Sequence, residues 1–146
     1  MPVTEPDLQH LLPDGEFMDR SSLAKAPGWK GTYALLLRFD ISRGVTFAGN
    51  ASRLSPGWYV YAGSAYGPGG VGARLKRHFR QDKKLHWHVD QLTIGADEIW
   101  ALAFRDGSEC EIVDRIRVAG LGETALPGFG SSDCTHCEAH LLRWTG

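Results

Sequence analysis

The chain has 146 residues, of which 42% are hydrophobic and 23% are charged, and its formal net charge is −1. This composition excludes wholesale disorder, and the length suits one domain rather than two. No apolar stretch approaches the roughly 20 residues of a membrane-spanning helix, and the N-terminus lacks the basic start and apolar run of a signal peptide. We therefore expect a cytoplasmic protein without membrane contact.

The first half of the chain predicts strands. Residues 1–29 contain four prolines and little periodicity, which indicates an N-terminal extension before a single domain at 30–146. Gly31 to Phe39 is apolar and predicts a buried strand, and Val45 to Gly49 predicts its hairpin partner. A third strand, rich in aromatic residues, is predicted from Trp58 to Ala62.

The second half alternates helices with strands. Apolar residues at helical spacing predict a helix from about Gly70 to about Arg80. Ser108 followed by Glu111 forms a capping-box pattern, which opens another helix that ends near Gly120. Three further segments predict a helix and two strands: His86–Leu92, Glu98–Phe104 and His140–Trp144. This order favours an α+β fold, with a small, mostly antiparallel sheet flanked by helices.

A glycine-rich loop precedes the first long helix. Gly67 to Gly72 matches the letters G-x-G-x-x-G, but no repeated βαβ units surround it, as a dinucleotide-binding fold would require. Two interpretations of the loop stay open. It could hold an anion at the helix N-terminus, or it could simply need left-handed backbone angles.

Residues 73–88 form a basic segment on an otherwise acidic chain. They hold six lysines and arginines against one acid, Asp82, whereas the rest of the chain carries a net charge of −6. This suits local phosphate contact, although a solvated helix face is the plainer alternative. The candidate nucleic-acid-binding residues are Lys76, Arg77, Arg80, Lys83, Lys84, His86 and His88. For His86 and His88, the alternative to phosphate contact is a structural role, with Trp87 between them in the core.

Two short motifs, an arginine and a late glutamate give a specific resemblance. Gly31-Thr32-Tyr33 opens the first strand, Tyr61-Ala62-Gly63 ends the third, and Arg74 follows with His78 one helical turn later. Together with a glutamate on a later helix, this arrangement resembles a GIY-YIG nuclease domain. Four blocks are similar to the branch named domain of unknown function 123: Pro56–Ala65, His86–Asp90, Glu109–Glu111, and Pro127–Cys134 with His140.

The resemblance implies a metal-dependent endonuclease that hydrolyses phosphodiester bonds in DNA. Tyr33 would be the base or its hydrogen-bond link, Tyr61 would position water or phosphate, and Arg74 would neutralise phosphate charge. His78 would assist proton transfer. Glu111, with Glu109 as the alternative, would hold Mg²⁺ or Mn²⁺.

Each of these residues also has an ordinary structural explanation. The two tyrosines could serve packing, His78 could lie satisfied at the boundary of the core, and Glu111 could act only in the capping box. Two other functions therefore stay open. One is a non-catalytic nucleic-acid-binding module that keeps the fold, and the other is a small zinc-stabilised interaction domain.

The cysteines suggest a possible zinc site. Cys134, Cys137 and His140 form the pattern C-x-x-C-x-x-H, and Cys110 would supply a fourth ligand of the right type for Zn²⁺. The total of three cysteines argues against a paired disulfide framework. The alternative is a set of reduced cysteines that serve packing.

Overall fold

The architecture is described from a computed structural model, which covers residues 7–47, 49–126, 129 and 139–145. Within these residues, eight strands, four α-helices and one short 3-10 helix at Leu23–Lys25 follow one another. The strands are β1 Glu16–Met18, β2 Gly31–Phe39, β3 Arg43–Phe47, β4 Asn50–Leu54, β5 Gly57–Ala65, β6 Glu98–Arg105, β7 Gly122–Thr124 and β8 Leu141–Trp144. The helices are α1 Leu8–Leu11, α2 Gly70–Phe79, α3 Asp90–Thr93 and α4 Glu109–Val118.

Six strands form one open sheet in the order β1-β6-β2-β5-β8-β7, and neighbouring strands run antiparallel. The predicted α+β fold, a mostly antiparallel sheet flanked by helices, is confirmed. The central strand β2 is buried along almost its whole length because both faces of the sheet are covered. Within the described residues, no helix is long and apolar enough to cross a membrane.

The alternation of side chains along β2 and β5 divides the core into two layers. One face carries Tyr33, Leu35 and Leu37, which pack with α2, α3 and the separate β3–β4 sheet. The other face carries Ala34 and Leu36, which pack with residues of α1 and α4. The two tyrosine motifs lie on the face beneath α2, because directly paired residues of antiparallel strands share a face.

The predicted hairpin between β2 and the strand at Val45 is wrong. β3 instead pairs with β4, a strand that the sequence pattern did not indicate, and the two form a sheet of their own. The reason is that both edges of β2 are already occupied, one by β5 and the other by β6. The chain after Phe39 therefore finds no free edge of β2 with which to pair.

Residues 7–30 contribute to the packed structure. β1 pairs with β6 at one edge of the sheet, and Leu8, Leu12 and Met18 are buried. The predicted helix at His86–Leu92 is shorter than expected, since only Asp90–Thr93 is helical. The short edge strand β7 was not predicted, because three residues carry too little periodicity.

The glycine loop docks α2 onto the segment before β2. The N–H groups of Val71 and Gly72 donate to the carbonyl oxygens of Trp29 and Pro27, at 2.9 and 2.7 Å. The N–H of Gly70 bonds within the loop, to Gly67 O. These donors are therefore satisfied by backbone carbonyls, which leaves them unavailable to an anion. The left-handed φ of +61° at Gly70 supports the other interpretation, a loop shaped by backbone geometry.

Replacing Gly72 with alanine tests this docking. A Cβ at Gly72 would lie 2.6 Å from Pro27 O, so the helix would have to move away from the segment that holds it. We expect Gly72→Ala to lower the free energy of unfolding by about 1–3 kcal/mol, measured by urea denaturation. Gly67→Ala is the matched control, because nothing lies within 4 Å of its added Cβ. Equal stability of the two variants would contradict this account of the helix start.

Candidate functional site

One cleft gathers four of the five predicted catalytic residues. Tyr33, Tyr61, Arg74 and His78 line a cavity of about 370 Å³ between the sheet, α2 and the segment before α3. The remaining lining residues are His86, Trp87, His88, Val89 and Phe129. Aromatic rings and imidazoles therefore make up most of the wall, with one arginine among them.

The register of β2 and β5 brings the two tyrosines together. Tyr33 lies opposite Gly63, and Leu35 lies opposite Tyr61, so the tyrosines are diagonal neighbours on one face. A Cβ at Gly63 would overlap the Tyr33 ring, which therefore lies across the glycine. Gly63 thus provides the space that Tyr33 needs, and this explains why the second tyrosine motif ends in glycine.

Tyr33 and His78 form a hydrogen-bonded pair at the bottom of the cleft. The Tyr33 hydroxyl lies 2.7 Å from His78 Nε2, and the residues are 1% and 0% exposed. Burial raises the pKa of Tyr33 well above its ordinary value. Burial, with the nearby charges of Lys83 and Arg74, lowers the pKa of His78 to about 3. Both groups are therefore neutral near pH 7.

The neutral pair can form its hydrogen bond in two directions, depending on which ring nitrogen of His78 carries the proton. When Nε2 is the acceptor, Tyr33 donates to it and the phenol lone pairs can accept from a ligand. When Nε2–H is the donor, the phenol O–H can donate to a ligand. His78 Nδ1 is buried and makes no hydrogen bond within the described part of the chain.

Arg74 is oriented by an aromatic ring. Its guanidinium carbon lies 4.4 Å from the centroid of the Trp87 ring, a cation–π arrangement. Burial and the Glu109 charge raise the pKa of Tyr61 to about 12, and the Arg74 charge acts in the opposite direction. The positive charge therefore lies within electrostatic reach of both tyrosines.

A buried carboxylate, Asp90, holds the segment that carries Trp87. Asp90 accepts the N–H groups of His86 and Trp87 at 2.8 and 2.9 Å. It also accepts two hydrogen bonds from Arg77, at 3.0 and 3.1 Å, and lies 3.8 Å from Lys83 Nζ. Burial alone would raise the pKa of Asp90. The hydrogen bonds that the carboxylate accepts outweigh this effect, and the net pKa lies below its ordinary value. We call this set of contacts the Asp90 clamp.

Lys83 and Arg77 lie in the clamp and not on the open surface where the sequence placed them. The Lys83 side chain is 5% exposed and donates to the carbonyls of Arg77 and His78 and to the Thr93 hydroxyl. Its ammonium therefore caps the end of α2. Arg77 is the bidentate partner of Asp90.

Three other basic residues, Lys76, Arg80 and Lys84, are exposed. At about 100° per helical residue, Lys76 and Arg80 project about 160° and 120° away from Arg74. They therefore face away from the cleft. His86 and His88 are exposed at its rim, and Trp87 between them is partly buried against the core.

The two candidate glutamates on α4 have different surroundings. Glu111 lines a separate cavity of about 230 Å³ with Thr32, Asp106 and Arg115, away from the tyrosines. Its backbone N–H donates the capping hydrogen bond to Ser108 Oγ, as the capping-box pattern predicts. Glu109, in contrast, acts electrostatically on both Tyr33 and Tyr61. Of these two glutamates, Glu109 is the one whose charge reaches the tyrosines, and it does not itself line the cavity.

The predicted zinc ligands are only partly described. Cys110 Sγ lies 3.9 Å from His140 Nε2, so these two residues are neighbours. Cys134 and Cys137 lie outside the described residues. Cys110 is disulfide-bonded, contrary to the expectation from the odd number of cysteines, and in that form it offers no thiolate. Among the described side chains, no group of three or more metal-binding residues converges.

A model of the family described as "Domain of unknown function DUF123" matches residues 32–146. The chain belongs to this family. The match includes every residue that lines the cleft, and it begins after the segment that forms α1 and β1. No curated protein and no solved structure matches the chain.

Sequence reasoning missed the roles of Asp90 and Trp87 in this DUF123 domain. Both lie in the block His86–Asp90 that carries the family resemblance, but the block contains no sign that a buried carboxylate would bind the backbone before it. Asp90 is buried beside Val89, and a buried acid requires hydrogen-bond or ionic partners, but this burial is visible only in the structure.

Removing the Asp90 charge should weaken the whole domain. Asp90→Asn keeps the shape of the side chain but leaves Arg77 and the nearly buried Lys83 without their anion. We expect the free energy of unfolding to fall by about 3–5 kcal/mol, measured by denaturant titration. Asp82→Asn, an exposed acid in the same segment, should change it by less than about 0.5 kcal/mol. A loss below about 1 kcal/mol in Asp90→Asn would show that the clamp is not important for stability.

The buried neutral histidine predicts a pH dependence of stability. The pKa of His78 is about 3 in the folded domain and about 6.5 in an unfolded chain, so between these values the unfolded chain binds the extra proton. Stability should therefore fall as the pH decreases from about 6.5 towards 3. Near pH 5 the contribution is about 1.4 kcal/mol per pH unit.

His78→Gln should lose this contribution to the slope, whereas the exposed His86→Gln should keep it. The measurement is urea denaturation at pH values from 4.5 to 7, with slopes compared rather than absolute stabilities. Identical slopes for wild type and His78→Gln would contradict the prediction.

Proposed function

We propose that the protein is a metal-dependent nuclease of the GIY-YIG type that hydrolyses phosphodiester bonds in DNA, and that the cleft is its active site. One observation carries the proposal: the Tyr33–His78 pair lies in the same cleft as Arg74 and Tyr61. These groups can orient water, move a proton and meet phosphate charge, which are the tasks of phosphodiester hydrolysis.

In the proposed reaction, Arg74 contacts the non-bridging oxygens of the scissile phosphate. Negative charge on these oxygens is stabilised by the guanidinium, which the Trp87 ring keeps in place. Tyr61, nearer the rim, hydrogen-bonds the phosphate or the attacking water. The phenol stays protonated at neutral pH because its pKa is about 12, so Tyr61 acts as a donor.

Tyr33 and His78 would remove the proton from the attacking water. As the water oxygen bonds to phosphorus, its proton passes to the Tyr33 oxygen, and the phenol proton passes to His78 Nε2. The bond from phosphorus to the leaving oxygen breaks, and that oxygen takes a proton from solvent. The products are a phosphate monoester end and a free hydroxyl end. The anionic phosphate opposes the burial penalty of the imidazolium that forms.

Glu109 is the carboxylate best suited to hold Mg²⁺ or Mn²⁺. These hard cations accept one carboxylate with water completing the coordination, and Glu109 is the glutamate that is coupled to the tyrosines. A divalent cation bound there would supply further positive charge for the phosphate. Glu109 therefore replaces Glu111 as the first choice of metal ligand, because Glu111 lines a separate cavity.

A non-catalytic nucleic-acid-binding module is the second candidate. It is favoured by one observation, the low pKa of His78, which makes this imidazole a weak base in the empty cleft. The same cleft would then hold a phosphate with Arg74 and Tyr61 without cutting the chain.

A cleavage assay separates these two functions. Fluorescently labelled DNA is incubated with Mg²⁺ or Mn²⁺, and products are resolved by gel electrophoresis. We expect Arg74→Gln to slow cleavage by about 10²–10³-fold, because it removes a charge from the phosphate. Lys76→Gln, which removes an exposed charge from the other side of α2, should leave the rate within about twofold. No metal-dependent cleavage by the wild type would favour the binding module.

The same assay tests the choice of carboxylate. Glu109→Gln and Glu111→Gln are isosteric changes two residues apart on one helix. We expect cleavage to be lost in Glu109→Gln and kept in Glu111→Gln. The reverse result would return the metal to Glu111, and cleavage by both variants would remove α4 from the active site.

A further inference from the structure

The reacting groups of the cleft are too deep for a rigid double helix to reach. Tyr33 and His78 are 1% and 0% exposed at the bottom, whereas His86 and His88 are exposed at the rim. A phosphate must therefore enter the cavity to meet the Tyr33 hydroxyl. A duplex holds its phosphates on a stiff outer surface, but an unpaired strand can bend one nucleotide inwards.

The walls of the cleft are suited to a flat ring. Rings come from β5, from the segment before α3 and from Phe129, and several contact one another edge to face. His88, for example, packs edge to face on Phe47, with ring centroids 5.1 Å apart, and lies tilted against Phe129, with ring centroids 6.1 Å apart. Exposed and partly exposed rings at the mouth provide stacking surfaces for a base. The volume of about 370 Å³ lies in the range of small-ligand pockets.

The charge at the cleft is too small to bind a long stretch of backbone. Arg77 and Lys83 are held by Asp90, and Lys76 and Arg80 face away from Arg74. Of the two remaining basic residues at positions 73–88, Arg74 lines the cavity and the exposed Lys84 does not. Affinity at this site must therefore come from ring stacking together with one or two phosphates.

We infer that the cleft receives one unstacked nucleotide, so that the preferred substrate of this site is single-stranded DNA or an unpaired segment next to a duplex. The inference rests on the proposed function, since it assigns the ligand of the same cleft. The base stacks at the rim, beside His88, and its phosphate lies towards Arg74 and Tyr33.

Binding can be measured without cleavage. Fluorescence anisotropy in EDTA compares three labelled 15-nucleotide probes of one sequence: a single strand, the blunt duplex, and a single strand in which the bases are replaced by abasic sites. We expect the single strand to bind at least tenfold more tightly than the duplex. The abasic strand should bind about five- to hundredfold more weakly than the intact strand. The slope of log affinity against log salt should lie between about −0.7 and −1.4, as for one or two phosphates.

Variants of His88 test the stacking surface. His88→Ala should weaken single-strand binding by about fivefold or more, and His88→Phe should restore it, because the ring is what the base contacts. His10→Ala, at an exposed histidine of α1, is the control and should bind as the wild type does. Loss of binding in both His88 variants would assign the imidazole a polar contact and overturn the stacking interpretation.

The outcomes distinguish this inference from the proposed function. Equal affinity for the single strand and the duplex, together with metal-dependent cleavage of the duplex, would overturn the inference and leave the nuclease proposal standing. Tight base-dependent binding of the single strand in EDTA, without cleavage in Mn²⁺, would support the inference and overturn the nuclease proposal. Equal binding of intact and abasic strands would overturn the inference in either case.

Discussion

The Asp90 carboxylate is the interaction on which the cleft depends. It is buried, and it compensates for its lost hydration by accepting the backbone N–H groups of His86 and Trp87 and two bonds from Arg77. A carboxylate with so many donors fixes its surroundings, because releasing any of them leaves a buried charge unsatisfied. The segment before α3 is thereby held against α2, Trp87 lies against Arg74, and the arginine is directed at the tyrosines.

Burial determines the chemistry at the bottom of the cleft. The Tyr33 ring crosses Gly63 and reaches His78, and burial keeps both members of the pair neutral near pH 7. A neutral phenol and a neutral imidazole can exchange a proton without either carrying charge in the empty protein. They become useful when an anionic ligand enters, since its charge favours the protonated imidazole. The pair is thus suited to respond to a phosphate.

The partners of the basic residues change the functional interpretation of the segment at 73–88. Six lysines and arginines in sixteen residues look like a phosphate-binding face, but two of them stabilise Asp90 and the end of α2. The cleft itself is lined by rings and one arginine. A site of this composition favours a local contact with one nucleotide over a broad electrostatic contact with a duplex.

The sequence by itself determined the elements with strong periodicity and the residues with specific motifs. The strand at Gly31–Phe39, the helix after the glycine loop and the capping box at Ser108 were predictable, because each depends on local patterns. The set Tyr33, Tyr61, Arg74 and His78 came from the resemblance of its motifs to those of a known family. Tertiary structure decided the rest. It occupied both edges of β2, so that β3 paired with β4, and it coupled Glu109 to the tyrosines while Glu111 turned to another cavity. It also gave Asp90 its partners. Strand pairing, the direction of neighbouring side chains on a helix, and the satisfaction of a buried charge depend on residues distant in the chain, which local patterns do not record.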